Sequence, residues 1–220
     1  MSKILYRGLQ WFLALFAAYI LFFSGSDRYF LGPVSLLFLL IPRMVERLFR
    51  MELGYPLKIT VLIFCFLGFH LGTALRWFDR GWGYDNVVHL LSGILFTLIG
   101  LCFYARIRGG VNRKEEPLLQ ITYAFFFSVF VAVLWEIWEF SGFLLFGLDS
   151  QHHLDTGVFD TMEDIIACLA GSLVMTVDYV LYLRRDMGLL MGVVERFDAA
   201  NGYVKTQDPA PLPEVMEPSL

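Results

Sequence analysis

Long apolar runs with few charges constrain this chain more than any other feature of its sequence. A transmembrane α-helix needs about 20 mostly apolar residues, because each residue rises about 1.5 Å and the hydrocarbon core of a bilayer is about 30 Å thick. The sequence contains six candidate runs: Leu5–Phe23, Pro33–Phe49, Leu57–Phe78, Asn86–Ala105, Pro117–Phe146 and Thr161–Leu183. We therefore predict an all-α fold in which residues 1–183 form a polytopic bundle of about six transmembrane helices.

The first two of the six runs are less certain to be transmembrane helices than the other four. The second run is the weakest, because Pro42 should kink it and charged residues occupy its end. The first run follows Lys3 and Arg7 and precedes Ser24-Gly25-Ser26, as a secretory signal peptide would. This tripeptide is only a loose match to a cleavage site, so we expect the first run to be retained as a helix.

The positive charges predict the orientation of the bundle, because cytoplasmic loops of membrane proteins carry an excess of Lys and Arg. With a cytoplasmic N-terminus and six helices, 14 of the 17 Lys and Arg residues lie on the cytoplasmic side, and only Arg28, Arg76 and Arg80 lie outside. Both termini are therefore predicted to be cytoplasmic. The asymmetry also supports the second run, since its removal would place two basic loops on opposite sides.

The chain after the last run has a different composition. We predict that residues 184–206 form a short interfacial helix on the cytoplasmic side. Residues 207–220 contain four of the eight prolines of the chain. Such a composition is typical of a disordered tail.

Composition and cysteine spacing exclude several classes of protein. The chain is 57% hydrophobic and only 17% charged, with a net charge of −4, whereas soluble domains have about 25% charged residues. No basic surface of the kind that binds nucleic acid is indicated. The three cysteines lack CxxC spacing, so we expect small buried residues rather than disulfides or a zinc knuckle.

Ionisable side chains inside the apolar runs are the main indication of function, because such groups are costly in a bilayer and usually face the protein interior or a wet cavity. They occur as pairs on one helix face near the outer ends of three runs: Asp85 with His89, Glu136 with Glu139, and Asp160 with Asp164. All lie at similar depth in the outer half of the membrane. Random placement would scatter them between both halves, so we predict that they converge on one polar site.

Carboxylates and imidazoles in this pattern are typical of metal sites. Ligands spaced i,i+3 and i,i+4 on adjacent helices build the carboxylate-rich centres of helical bundles. Asp, Glu and His without thiolate favour Zn, Mn, Fe or Mg. We predict that the six residues bind one or two divalent ions, with Glu136 or Glu139 as a catalytic general base. His70 and Arg76 are candidate additional members of the site.

Each part of this pattern also has a structural interpretation. The three aspartates could cap their helices or complement the helix dipole, and the two glutamates could belong to an interhelical hydrogen-bond network. His70 lies between Gly68 and Gly72, a spacing that is typical of helix packing. The loop after the fifth run adds His152 and His153, which are either solvated or placed to gate the site.

The same residues carry a resemblance to a known family. The motifs, taken together, are Tyr84–His89 with Gly93, Glu136–Glu139, and Phe159–Asp164 with Gly171. Over roughly residues 60–180 the chain resembles the YjdF-like bacterial inner-membrane proteins, a family without an assigned biochemical activity. The resemblance implies a multi-pass protein of the bacterial inner membrane and supplies no reaction.

Three functions are compatible with the sequence. The first is a metal-dependent enzyme that acts on a lipid or lipid-linked substrate at the outer leaflet, with membrane lipids as its partners. The alternative is a transporter or channel for protons or divalent cations that uses the same acidic residues, although few polar groups are found in the inner half of the runs. The third is a structural or assembly protein in which a buried polar network fixes helix registry.

Overall fold

All regular structure that the chain forms in its described part is helical. The computed structural model describes residues 2–23, 31–80, 83–111 and 116–203. In chain order the helices are α1 (Ser2–Phe23), α2 (Leu31–Phe38), α3 (Ile41–Phe49), α4 (Gly54–Cys65) with a π-helical continuation (Phe66–Ala74), a short 3-10 helix (Phe78–Arg80), α5 (Tyr84–Arg108), α6 (Pro117–Phe146), α7 (His153–Thr156), α8 (Phe159–Arg185) and α9 (Met191–Ala200). The prediction of an all-α polytopic bundle is confirmed.

The number of candidate spans differs from the predicted six. Within the described residues, five helices are long and apolar enough to cross a membrane: α1, α4 with its continuation, α5, α6 and α8. The predicted second span, Pro33–Phe49, is instead divided between α2 and α3 by a turn at Leu39 and Leu40. Pro42 in the first turn of α3 is the physical reason, because proline has no N–H to donate and disfavours helical geometry in the residue before it.

The central helix of the bundle is α5, which packs against α8 most extensively and against α6 next. Glycines permit the close approach. A Cβ added to Gly93 of α5 would collide with the Cys168 carbonyl of α8, and one added to Gly171 would collide with the Leu90 carbonyl. Small residues at such crossings are how membrane helices gain van der Waals contact. This two-glycine contact is called the α5–α8 crossing below.

The remaining elements surround this three-helix core. α1 packs against α2 and α4, and Gly32 allows α2 to lie against the α1 backbone at Ala17. α9 buries Met191, Val194 and Phe197 and contacts α4, α5 and α8 at the end of the bundle where α8 ends. Cys65, Cys102 and Cys168 are free and buried, as predicted. The predicted tail at 207–220 and the candidate cleavage site at 24–26 lie outside the described residues.

Candidate metal centre

The α5–α8 crossing also determines which polar side chains meet. Asp85 and His89 lie eight and four residues before Gly93, so the three share one face of α5. Asp164 lies seven residues, or two helical turns, before Gly171 on α8. Both faces therefore point towards the crossing, and the ionisable residues lie one or two turns beyond it, at the end of the bundle where α5 and α8 begin. This end is called the site end.

Three predicted ligands come together there. The His89 Nε2 atom lies 3.5 Å from Asp85 Oδ1 and 3.6 Å from Asp164 Oδ2. One ligand atom from each residue lies within 4.8 Å of the other two, and no other group of three ligating side chains in the described residues is this compact. Ligands of Zn²⁺ lie about 2.0–2.2 Å from the ion, so ligand atoms around one ion are roughly 3–4 Å apart. The observed separations are close to that spacing.

The other three predicted site residues form the surroundings of this group. The carboxylate of Asp164 interacts electrostatically with those of Asp85, Asp160, Glu136 and Glu139. Five carboxylates therefore share one region at the site end. They come from three helices, α5, α6 and α8, which agrees with the convergence predicted from their depth along the helices.

Two carboxylate oxygens of this region are buried without a hydrogen-bond partner in the described part of the chain. They are Oε1 of Glu136 and Oδ2 of Asp160. Glu136 as a whole is only 6% exposed. Its other oxygen, Oε2, accepts a 3.0 Å hydrogen bond from Gln151 Nε2, which also donates to the Glu136 backbone carbonyl at 3.1 Å. Buried polar atoms are normally paired, so each orphan oxygen calls for a partner.

Helix capping does not account for the aspartates. Gly83 is the N-cap of α5 and Val158 is the N-cap of α8, and neither helix start has a side-chain capping hydrogen bond. Asp85 and Asp160 lie in the first turns, where a negative charge favours the helix dipole. Asp164 is 2% exposed and lies one turn deeper, beyond the range of that effect.

The loop between α6 and α8 covers the site end. Gln151 is 7% exposed and ties the loop to α6 through Glu136. His152 is close enough to interact electrostatically with Asp85 and Asp160. The Asp149 carboxylate accepts hydrogen bonds from the backbone N–H groups of His153 and Leu154, at 2.8 and 3.0 Å, and so starts the short helix α7. Gln151 is the contact that the sequence did not indicate, because an uncharged loop residue has no pattern of its own.

The two candidate additional residues lie elsewhere. The His70 ring is fully buried in the π-helical segment among Phe16, Phe66 and Phe69, and its Nδ1 atom lies 3.3 Å from the Cys65 carbonyl. Arg76 pairs with Asp79 at 2.5 Å and is 62% exposed at its side chain. Neither residue belongs to the compact group of Asp85, His89 and Asp164.

A second polar cluster lies beneath the site, at the α5–α8 crossing itself. Ser172 Oγ donates to Ser128 Oγ at 3.0 Å, and Ser128 Oγ donates to the Gly93 carbonyl at 3.2 Å. Further along the core, Tyr179 donates a 2.5 Å hydrogen bond to Gln120. These four side chains are fully or almost fully buried. They join α6 to α5 and α8 and fix the register in which the site residues meet.

The fold and site together define the class of protein: a multi-pass helical membrane protein with an acidic, His-containing site at one end of its bundle. Residues 5–185 match the family model described as Predicted membrane protein (DUF2238), and the chain belongs to this family. The predicted membership of a membrane-protein family is thereby confirmed. An uncharacterised protein of Thermotoga maritima is 25% identical over 128 residues. This alignment covers 58% of the chain and 65%, just under two thirds, of the relative. No solved structure matches the chain.

Proposed function

We propose that the protein binds a divalent cation at the site end through Asp85, His89 and Asp164. The observation that carries this proposal is the approach of the three ligand atoms to within 4.8 Å of one another. Carboxylate oxygen and imidazole nitrogen suit Zn, Mn, Fe or Mg. The orphan Oε1 atom of Glu136 supports a cation in the same region, because a buried carboxylate oxygen without a donor calls for a positive charge nearby.

The charge of the region supports the same proposal. Among the described residues, the charged groups that act most strongly on the five carboxylates are one another, Glu163, Asp149 and His152. No Lys or Arg is among these groups. Uncompensated negative charges are costly in a low-dielectric interior, and a bound cation would offset this repulsion.

The function that fits such a site best is a metal-dependent enzyme that acts on a lipid or lipid-linked substrate. The cation would lower the pKa of a bound water molecule, and Glu136 or Glu139 would accept its proton. Trp135, Ile137 and Trp138 of α6 flank these glutamates along the helix, and all three are exposed. Tryptophan is enriched where membrane lipids meet water, which supports lipid access beside the site. In the predicted topology, this is the outer leaflet of a bacterial inner membrane.

Metal analysis of the purified full chain tests the proposal. Protein washed free of adventitious metal and incubated with Zn²⁺ or Mn²⁺ should retain the ion, and His89→Ala should lose at least tenfold in affinity. Glu163→Gln is a matched control, because Glu163 is an exposed carboxylate one residue before Asp164. A wild-type protein that retains no ion above the level of His89→Ala would overturn the proposal.

A second candidate function is proton or divalent-cation transport through the same acids. The buried hydroxyls of Ser128 and Ser172 and the Tyr179–Gln120 pair favour it, because they extend the polar groups about 20 Å along α8 from Asp164. Transport ranks second because Leu98, which is fully buried beneath the two serines, forms an apolar layer between these polar groups. Proton or Mn²⁺ flux into proteoliposomes that Glu139→Gln abolishes would promote transport over catalysis.

The structural interpretation makes a separate prediction. A protein whose acids only fix helix registry would bind no ion, and substitutions at the site would lower expression and thermal stability together. Metal retention by the wild type, with a correctly folded His89→Ala variant that does not retain metal, separates the two cases.

A further inference from the structure

The remaining acids at the site end are not ligands of a single cation at Asp85, His89 and Asp164. Glu136 and Glu139 lie one turn apart on α6, and Asp160 lies one turn before Asp164 on α8. Their carboxylates interact electrostatically with one another. This second set of three carboxylates lies next to the first group, because Asp164 and Asp85 also interact with its members.

Unpartnered oxygens distinguish this set from an ordinary acidic cluster. Glu136 is only 6% exposed, and of its two carboxylate oxygens only Oε2 accepts a hydrogen bond from Gln151. Its Oε1 atom has no hydrogen-bond partner, and neither has the buried Oδ2 atom of Asp160. Two orphan oxygens on facing helices both call for a positive charge or a donor. The charged groups around them are other carboxylates and His152, and the neutral donors beside Glu136 are Gln151 and Thr161.

Charge balance leads to the same conclusion. The five carboxylates carry up to five negative charges, of which one divalent cation offsets two. Two divalent cations offset four, and paired cations held by carboxylates of adjacent helices are an established arrangement in helical bundles. On this basis, which rests on the proposed function, we propose that Glu136, Glu139 and Asp160 bind a second divalent cation beside the first.

The second site should fill after the first. Its three carboxylates do not form a compact group of the kind made by Asp85, His89 and Asp164, so cation binding must draw α6 and α8 side chains together. That rearrangement reduces the affinity. We expect a titration with two separate steps.

Counting bound Mn²⁺ on the full chain in detergent tests the second site. The wild type should bind two ions per chain. Glu136→Gln and Asp160→Asn should each bind one, with the tighter step unchanged. Gln at 136 keeps the size of the side chain and an acceptor for Gln151, so folding is preserved, and Glu163→Gln is the control that should still bind two.

The outcomes separate this inference from the proposed function. One ion in the wild type, lost in His89→Ala and retained in Glu136→Gln, would overturn the second site and leave the first. One ion lost in both variants would mean a single six-residue site and would also overturn the inference. No ion in the wild type would overturn both proposals.

Discussion

Substitution of Gly93 by Ala tests whether the α5–α8 crossing determines the geometry of the candidate metal centre. The new Cβ atom would lie 2.9 Å from both the Cys168 carbonyl carbon and the Ser172 nitrogen, and closer still to the Cys168 carbonyl oxygen. All three neighbours are backbone atoms that cannot rotate away. The two helices must therefore separate by about 1.4 Å to bring the closest contact to an ordinary distance, and overpacking of this kind costs about 1–3 kcal/mol.

Separation of α5 and α8 should also change the geometry of the candidate metal centre, which begins one turn away. His89 Nε2 and Asp164 Oδ2 belong to opposite helices and are 3.6 Å apart, so a shift of about 1.4 Å takes them beyond the span of two ligands on one ion. Misplacement on this scale costs about 10²-fold in catalytic sites. We expect Gly93→Ala to lower Mn²⁺ affinity at least tenfold and the unfolding temperature by several degrees, at roughly 2–4 °C per kcal/mol.

Thermal unfolding in detergent and Mn²⁺ titration of the same samples measure both effects. Gly142→Ala is the matched control: this helical glycine of α6 also lies towards the site end, but nothing lies within 4 Å of an added Cβ. It should match the wild type or exceed it slightly, since alanine favours helix. A Gly93→Ala protein with the stability and affinity of Gly142→Ala would refute the reasoning.

Three further predictions concern other parts of the bundle. Burial raises the pKa of Asp198 to about 6 from the usual 3.8. Between about pH 4 and pH 6 the folded protein therefore keeps a proton on Asp198 that the unfolded chain releases. The stability that comes from holding this proton is lost as the pH rises through that range. Asp198→Asn should remove this loss, worth at most about 3 kcal/mol above pH 7, and the difference between the unfolding curves of the two proteins at pH 5 and pH 8 measures it. Tyr179→Phe removes the hydrogen bond to the buried Gln120 and should cost about 1–2 kcal/mol in thermal unfolding; an additional Gln120→Leu change should recover part of it, and no recovery would contradict the explanation. Reporter fusions should place both termini in the cytoplasm, and termini on opposite sides would mean that α2 and α3 do not cross together as one span.

The apolar runs of the sequence predict the positions of most helices, because a membrane-spanning helix must have a certain length and an apolar composition. The predicted run Pro117–Phe146 coincides with α6, since Pro117 fits the first turn and Gly147 ends the helix with a left-handed conformation. The runs Asn86–Ala105 and Thr161–Leu183 lie within α5 and α8, which extend two or three residues further at each end. Polar residues at helix ends are invisible to hydropathy, although they continue the helix.

Interruptions of helices were harder to predict. Pro42 indicated a kink, and the structure has two short helices there because a turn precedes the proline. Nothing in the sequence indicated the π-helical segment around His70, because i→i+5 hydrogen bonding needs no special composition. Within this segment, the ring of Phe78 occupies the space that a side chain at Gly72 would need.

The composition of the site was predictable, whereas its internal arrangement was not. Spacing identified the charged faces of the three helices, because costly residues in a bilayer are few and their depth follows from residue number. One group of ligands (Asp85, His89 and Asp164) is compact, and the other (Glu136, Glu139 and Asp160) is not. This difference depends on the rotation of α5, α6 and α8 about their axes. A helix that is apolar on every side has no periodic signal for that rotation, and uncharged partners such as Gln151 and Ser172 become visible only once the helices are assembled.

The crossing that brings the ligands together also bears on the choice between catalysis and transport. Gly93 and Gly171 let the backbones of α5 and α8 touch directly below the acids, and the serine hydroxyls in this layer donate to partners within the protein. A transported ion would have to pass through this contact, and the helices would have to separate at the position where they pack most closely. A site that opens only towards the nearer membrane surface needs no such movement. The packing that forms the candidate metal centre therefore favours a reaction at one face of the membrane over passage across it.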